Sequence, residues 1–223
     1  MSDDPIPGHV DVVLPCLNEA AALPGVLAAL PPGYRAIVVD NGSTDGSAEV
    51  AAAHGAAVVT EPRTGYGAAV HTGLEHATAA VVCFADADGS LDLGQLPTLV
   101  AAVHGGADLA VGRRVPERAD VWPWHARAGN RLLAALLRRR GLAVRDIAPL
   151  RACPREALLA LGVTDRAFGY PLELLIRAQR AGWRVDEFDV VYRARAAGTR
   201  SKVSGSLRGT LRAVRDVGRV ALR

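Results

Sequence analysis

The sequence predicts a single α/β domain, a mostly parallel central sheet flanked by helices. Three observations carry this. Short Val-rich apolar runs alternate with Ala-rich stretches of helical length through the first half of the chain, as in parallel strands joined by crossover helices. A chain of 223 residues, 50% of them hydrophobic, can bury one large core. Clusters of Asp, Asn, Ser and Gly follow the apolar runs, at the strand ends where open α/β sheets collect ligands.

The elements follow in order. Residues 10–14 form a first strand, stopped by Pro15. An Ala-rich helix over 20–30 starts at a cap from Asn18 and breaks at Pro31-Pro32-Gly33. The second strand, 36–39, runs into Asp40-Asn41-Gly42-Ser43-Thr44-Asp45. A helix over 46–54 and a third strand at 57–59 follow. A loop over 61–67 then opens a helix reaching residue 77. The fourth strand, 80–85, ends in Asp86-Ala87-Asp88-Gly89. Residues 91–105 read as helix, and 108–112 as a fifth strand ending in Arg113-Arg114.

The second half is less regular. Residues 115–124 hold Pro116, Pro123 and two tryptophans, a surface loop or lid. A helix over 127–140 ends in Arg139-Arg140-Gly141, cations suited to a helix carboxyl end. Residues 146–151 read as irregular, 155–161 and 170–181 as helices, and 185–192 as an alternating strand at a sheet edge.

Composition excludes several classes. Aromatic residues make up 4% of the chain, and the basic residues lack aromatic interleaving, so no nucleic-acid partner is expected. Cys16, Cys83 and Cys153 are odd in number and lack metal-site spacing, pointing to buried thiols in a reducing compartment. No signal region opens the chain, and no apolar run nears the roughly 20 residues of a membrane span. The expected location is cytoplasmic, with contact at the inner membrane face the furthest departure.

Asp86 and Asp88 are the sharpest chemical signal. Side chains at i and i+2 of an extended segment point the same way, so both carboxylates can face one point. Two hard oxygen ligands beside a cleft suit Mn²⁺ or Mg²⁺ with positions open for a phosphate. An acidic Asp-Gly turn is the plain alternative. Carboxylates also follow the first strand (Glu19) and the second (Asp40, Asp45). A cleft receiving a cation and hydroxyls together fits a nucleotide sugar, with its diphosphate and its ribose diol. A nicotinamide dinucleotide fits poorly, because its Gly-rich loop should follow the first strand, where no glycine occurs until Gly25.

Leu14-Pro15-Cys16-Leu17-Asn18-Glu19, Val38-Val39-Asp40-Asn41-Gly42-Ser43-Thr44-Asp45, Arg63-Thr64-Gly65-Tyr66-Gly67 and Asp86-Ala87-Asp88 occur in this order. The set resembles the family 2 glycosyltransferases of the Rossmann-like GT-A fold, over most of the chain. Arg200-Ser201-Lys202-Val203 resembles the tail motif of their dolichol- and polyprenol-phosphate sugar synthases. The resemblance implies that Pro15, Leu17 and Glu19 line a nucleotide pocket, that Asp40 reads the base, and that Arg63 and Gly67 approach the nucleotide. It implies that Asp86 and Asp88 hold Mn²⁺ or Mg²⁺, with Asp88 the direct ligand. Ser90 stands where that branch places a Gln, and Asp146 to Arg151 keeps its Asp and Arg but not its Gly and Phe.

The implied reaction is inverting transfer of a sugar from a UDP- or GDP-linked donor to polyprenyl or dolichyl phosphate, with Arg151, Arg200 and Lys202 meeting the acceptor phosphate. A phosphate monoester is already ionised and needs placement only, whereas a hydroxyl acceptor needs a base. Relatives acting on hydroxyls carry a Glu-Asp pair where this chain has Glu173 alone, so Asp146 and Glu173 are the candidate bases. The alternatives are a soluble hydroxyl acceptor, a non-catalytic nucleotide-sugar or anionic-lipid binding module, and a sugar-phosphate nucleotidyltransferase. The last would need its Gly-rich basic loop after the first strand.

Residues 1–200 are expected to form the catalytic domain and 201–223 a basic amphipathic helix. At 100° per residue, Arg208, Arg212, Arg215, Arg219 and Arg223 form one stripe and Leu207, Leu211, Val214, Val217 and Val220 another face. The apolar face packs on the domain as a brace, or dips into headgroups while the arginines engage anionic lipid, at about 1 kcal/mol per basic residue. On the second reading the full-length protein binds anionic vesicles in a salt-sensitive manner, and Lys202→Ala loses transfer to polyprenyl phosphate. Absence of vesicle binding at low salt, with undiminished transfer in the variant, leaves the brace.

Overall fold

The computed structural model describes residues 9–118, 120–147, 149–198 and 215–220, and of His125 the backbone alone. Its strands are β1 Val10–Cys16, β2 Tyr34–Asp40, β3 Ala57–Thr60, β4 Val81–Phe84, β5 Leu109–Pro116, β6 Leu150–Pro154 and β7 Val185–Tyr192. They form one sheet in the order β3-β2-β1-β4-β6-β5-β7. The four pairings β1 with β2, β1 with β4, β2 with β3 and β5 with β7 are parallel. The mostly parallel expectation therefore holds, and β7 is an edge strand.

The chain runs outward from β1 to β3, then returns to add β4 on the other side of β1. This reversal separates the connections following β1 and β4, and such a switch point opens a crevice at the strand ends. The strand expected to stop at Pro15 runs through it to Cys16, and the Asp pair after β4 and the Pro15–Glu19 segment at the end of β1 face that crevice together.

The helices are α1 Leu23–Ala28, α2 Ser47–Ala53, α3 Tyr66–His76, α4 Leu96–His104, α5 Trp124–Arg139, α6 Arg155–Ala160 and α7 Tyr170–Arg180. Alternation along β1 builds a core on each face of the sheet. Val13 joins Leu74, Tyr170 and Leu174 on one face. Val12 and Leu14 join Leu23, Leu96 and Leu99 on the other. The strand is buried on both faces, hence its nearly continuous apolar run. Gly73 lets α3 approach β1, since a Cβ there would lie 2.3 Å from Val13 Cγ1. That approach fixes where the start of α3, Tyr66, meets the crevice.

Several local expectations are corrected. Asn18 does not cap α1, which begins only at Leu23. It adopts a left-handed φ of 54°, its amide donates to Ser43 Oγ, and its side-chain oxygen accepts from the Thr44 amide at 2.7 Å. Tertiary bonding to the next loop outcompetes local capping. The helix expected over 91–105 begins with a 3₁₀ turn, Leu93–Gln95, and becomes α-helical at Leu96, with Pro97 in its first turn. The last two residues of the segment read as irregular open β6, antiparallel to both β4 and β5. Its five residues include Arg151 and Pro154, a pattern with neither strand alternation nor an apolar run. Helix α5 starts at Trp124, inside the expected loop.

Of the C-terminal segment, residues 215–220 are helical. Val220 is buried and Val217 packs beside it against the core, while Arg219 is exposed. In this turn the apolar side meets the domain. The rest of 201–223, with Arg200 and Lys202, lies outside the described residues. Among the described residues no helix is long and apolar enough to cross a membrane. The three cysteines are buried and unpaired.

The amino ends of the strands are tied by Asp11, which is fully buried. It accepts from Arg35 Nε at 2.7 Å and from the Thr78 and Ala79 amides at 2.6 and 2.9 Å. Burial opposes its charge, but these hydrogen bonds outweigh burial and hold its carboxyl below the usual range. A group with a depressed pKa contributes stability above its unfolded pKa and loses it as pH falls through the folded value. Asp11→Ala is therefore expected to cost about 2–4 kcal/mol near pH 7, from amides left unpaired and a broken ion pair. Denaturant titrations should show that difference shrinking below about pH 4, the ordinary carboxylate range.

Candidate active site

A cavity of about 380 Å³ opens at the carboxyl ends of β1, β2 and β4, within the size range of small-molecule sites. Pro15, near the end of β1, and Leu17 and Glu19, from the segment after it, line the cavity. That segment is strapped to the segment after β2: the Glu19 amide donates to Ser47 Oγ at 2.9 Å and the Ala20 amide to Asp45 Oδ2 at 3.0 Å. Ser43, Asp45 and Ser47 thus shape the β1 loop.

Asp40 is buried and does not line the cavity; its carboxylate accepts from the Ser43 amide at 3.2 Å. The neighbouring Asn41 does line it. Its side-chain nitrogen donates to the Glu61 and Arg63 carbonyls, both at 2.8 Å, and its oxygen accepts from the Gly65 amide at 2.8 Å. Asn41 therefore holds the loop that presents Thr64, Gly65 and Tyr66 to the cavity. Arg63 points outward, its side chain 66% exposed and paired with Glu61. Gly67 is a packing residue, since a Cβ there would lie 2.8 Å from both Arg166 C and Tyr170 Cβ.

Asp86 and Asp88 line the cavity at the end of β4. Asp88 is 2% exposed, and its Oδ1 accepts from the Ser90 amide at 2.8 Å. Its Oδ2 lies 2.8 Å from an Arg195 nitrogen, a close ion pair lacking hydrogen-bond alignment, so this buried oxygen has no aligned donor. Arg195 also lies 3.7 Å from Glu19 Oε1. It arrives because the segment after β7 crosses the Asp pair, with the Arg193 amide on the Ser90 carbonyl and the Ala196 amide on that of Asp88. Burial and the Asp88 charge raise the Asp86 pKa; Arg195, Arg114 and Arg151 offset this in part.

These features fit a divalent cation. The donors are hard oxygens, one of them buried without an aligned donor, and like charge is concentrated where a cation would relieve it. Among the described residues no cluster of three or more His, Cys, Asp or Glu side chains could enclose a metal. Two carboxylates leave coordination positions for a ligand's phosphates.

Arg114, on β5, is the second guanidinium lining the cavity. Its amide and Nε donate to Asp146 Oδ2, both at 2.9 Å, and a terminal nitrogen donates to Oδ1 at 2.7 Å. The guanidinium carbon sits 4.1 Å from the Trp122 ring centre and 5.5 Å from that of Tyr192, a cation–π arrangement. Asp146, 1% exposed, is not part of the cavity wall and clamps Arg114. Arg113, next in the strand, faces the other way and pairs with Asp189.

Glu173 and Arg151 are also set back from the cavity. Glu173 accepts from the Asp165 amide at 2.6 Å, Thr164 Oγ1 at 2.9 Å and Arg177 Nε at 2.6 Å. Burial opposes its charge, yet these bonds hold its pKa below the usual range. It orders the loop before α7, whose Ala167 and Phe168 line the cavity. Arg151, 4% exposed, donates to the Ile147 carbonyl and, at 3.4 Å, to that of Pro171, bracing two lining residues. Arg200 and Lys202 lie outside the described residues.

Among the lining residues not singled out from sequence are Asn41, Arg195 and Asp216. Asn41 stood inside a quoted motif and Arg195 within a basic run. Asp216 had no signal, as a lone carboxylate among arginines.

Comparison with known proteins agrees with this geometry. An uncharacterised glycosyltransferase of Mycobacterium tuberculosis is 60% identical, over 95% of this chain and 97% of its own. The polyprenol monophosphomannose synthase of Mycolicibacterium smegmatis is 33% identical, over 87% of this chain and 81% of its own. Among solved structures, glucosyl-3-phosphoglycerate synthase from Mycobacterium tuberculosis, in complex with Mn²⁺, UDP-glucose and glycerol 3-phosphate, superposes with a TM-score of 0.75. It is 28% identical, covering 97% of this chain and 79% of that one. Residues 11–159 match the family model described as glycosyl transferase family 2. With its GT-A sheet and its carboxylates at the ends of β1 and β4, the chain belongs to glycosyltransferase family 2.

Proposed function

We propose that the protein transfers a hexose from a nucleoside-diphosphate sugar to the phosphate of a polyprenyl or dolichyl acceptor, with inversion and with Mn²⁺ or Mg²⁺ at Asp86 and Asp88. One observation carries the reading: the Asp pair, Glu19, Arg114 and Arg195 converge on one cavity at the sheet's switch point. The Mn²⁺ and UDP-glucose held by the similar solved structure support the donor and cation. The polyprenol monophosphomannose synthase relative supports a lipid phosphate acceptor.

The chemistry follows from charge. Breaking the bond from sugar to phosphate builds negative charge on the departing nucleoside diphosphate. A divalent cation bound there supplies charge stabilisation worth several kcal/mol. Arg114, held by Asp146 and two aromatic rings, is preorganised to meet the same charge without reorienting. Pro15 and Leu17 offer contact area for the nucleotide, and Phe168, Ile147 and Pro171 exclude water from the reacting centre.

The carboxylates proposed as bases, Asp146 and Glu173, are both engaged by arginines and backbone amides. That favours an acceptor already ionised. A soluble phosphorylated acceptor is the second reading, favoured by the glycerol 3-phosphate of the similar structure.

Asp88→Asn is expected to lower metal-dependent nucleotide release roughly a hundredfold or more while circular dichroism shows an intact fold. Wild-type turnover in a folded variant would remove the pair from this role. The raised Asp86 pKa gives a second expectation, because cation and proton compete for the pair. Calorimetric Mn²⁺ affinity should weaken on acidification at pH values where an ordinary carboxylate, near 3.9, stays ionised. A pH-independent affinity down to that range would contradict it.

A further inference from the structure

We propose that Asp216 selects the sugar: its carboxylate accepts hydroxyl hydrogens of the transferred hexose within the cavity. This rests on the glycosyl-transfer reading and adds to it the residue that discriminates among donors.

Asp216 is 3% exposed, yet it lines the cavity. Among the described residues its hydrogen-bond partner is Arg215, whose Nε and one terminal nitrogen reach the same oxygen, Oδ1, at 3.3 and 3.2 Å. The Arg215 side chain is 61% exposed, so solvent screens this pair and it contributes little. Oδ2 receives no hydrogen bond from the described residues. A carboxylate so withdrawn from water needs donors. A sugar ring supplies neutral donors in adjacent pairs, matched to the two oxygens of one carboxylate. An acceptor phosphate in the same place would meet like charge.

The position agrees with the chemistry. Val220, one helical turn beyond Asp216, packs on Gly169, where a Cβ would lie 2.6 Å from Val220 Cγ2. Asp216, four residues before it, therefore lies beside the loop that gives Ala167, Phe168 and Pro171 to the same cavity. With the diphosphate drawn to a cation at Asp86 and Asp88, and to Arg114 and Arg195, the hexose is the group left to meet Asp216.

The test uses the full chain with Mn²⁺ and the variants Asp216→Asn and Asp216→Ala. Calorimetry measures UDP and GDP, and initial nucleotide release is followed from UDP-glucose, UDP-galactose, UDP-N-acetylglucosamine and GDP-mannose. Both variants should bind the free diphosphates within about twofold of wild type, since the contact lies on the sugar. For the best donor kcat/KM should fall roughly tenfold to a hundredfold, and its ratio to the next-best donor should shrink roughly tenfold. An equal loss for all four donors, with the ratio kept, overturns the inference and moves Asp216 to the acceptor or to folding. Unchanged rates overturn it as well. If wild-type protein releases nucleotide from none of the four, the glycosyl-transfer reading fails and takes the inference with it.

Discussion

Two carboxylates one residue apart at the end of a fully buried strand, Asp88 buried and Asp86 half-buried, set the terms for the site. At this spacing the mutual repulsion of Asp86 and Asp88 is poorly relieved, as the raised Asp86 pKa records. Such a pair persists only if cations face it. The fold brings two from far along the chain: Arg114 from β5 and Arg195 from the segment after β7. Neither guanidinium fully compensates the pair, and that residual field is what the proposed divalent cation and its diphosphate would relieve.

Much of the polar chemistry around the cavity acts at one remove. Asp146 aims Arg114, Glu173 orders the loop carrying Phe168, Arg151 braces Ile147 and Pro171, and Asn41 holds the loop carrying Gly65. Asp146, Glu173 and Asn41 are polar groups satisfied by neighbours, Arg151 is satisfied at one terminal nitrogen but not at its Nε, and each fixes a residue that does line the cavity. Rigid placement of this kind lets a charged side chain act without reorganisation cost at the moment of reaction. It also explains how carboxylates and arginines that match a family pattern come to sit behind the cavity.

The C-terminal turn belongs to the site as well as to the core. Val217 and Val220 dock it on the face that holds α7, and the docking carries Asp216 to the cavity. The amphipathic pattern of 206–223 is thus used on its apolar side by the domain, at least in 215–220.

The fold class, the first five strands and the chemistry of their ends are legible in local pattern. Continuous apolar runs such as Val81-Val82-Cys83-Phe84 have no other stable use than a strand buried on both faces. A doublet such as Asp86 and Asp88 needs no distant partner to be recognised. Tertiary structure alone decided the rest. β6 was illegible because its stability comes from pairing with β4 and β5, and a five-residue strand holding a buried Arg has no local signature. Asp146, Glu173 and Arg151 looked like site residues because charge in a loop or on a helix is the same letter whether it faces a ligand or an arginine. Which of the two it meets depends on contacts such as Glu187 with Asp146 and Asn130 with Ile147, 41 and 17 residues apart in the chain. Arg195 and Asp216 enter the cavity only when β7 and the last helical turn are docked, and no spacing within the sequence encodes that.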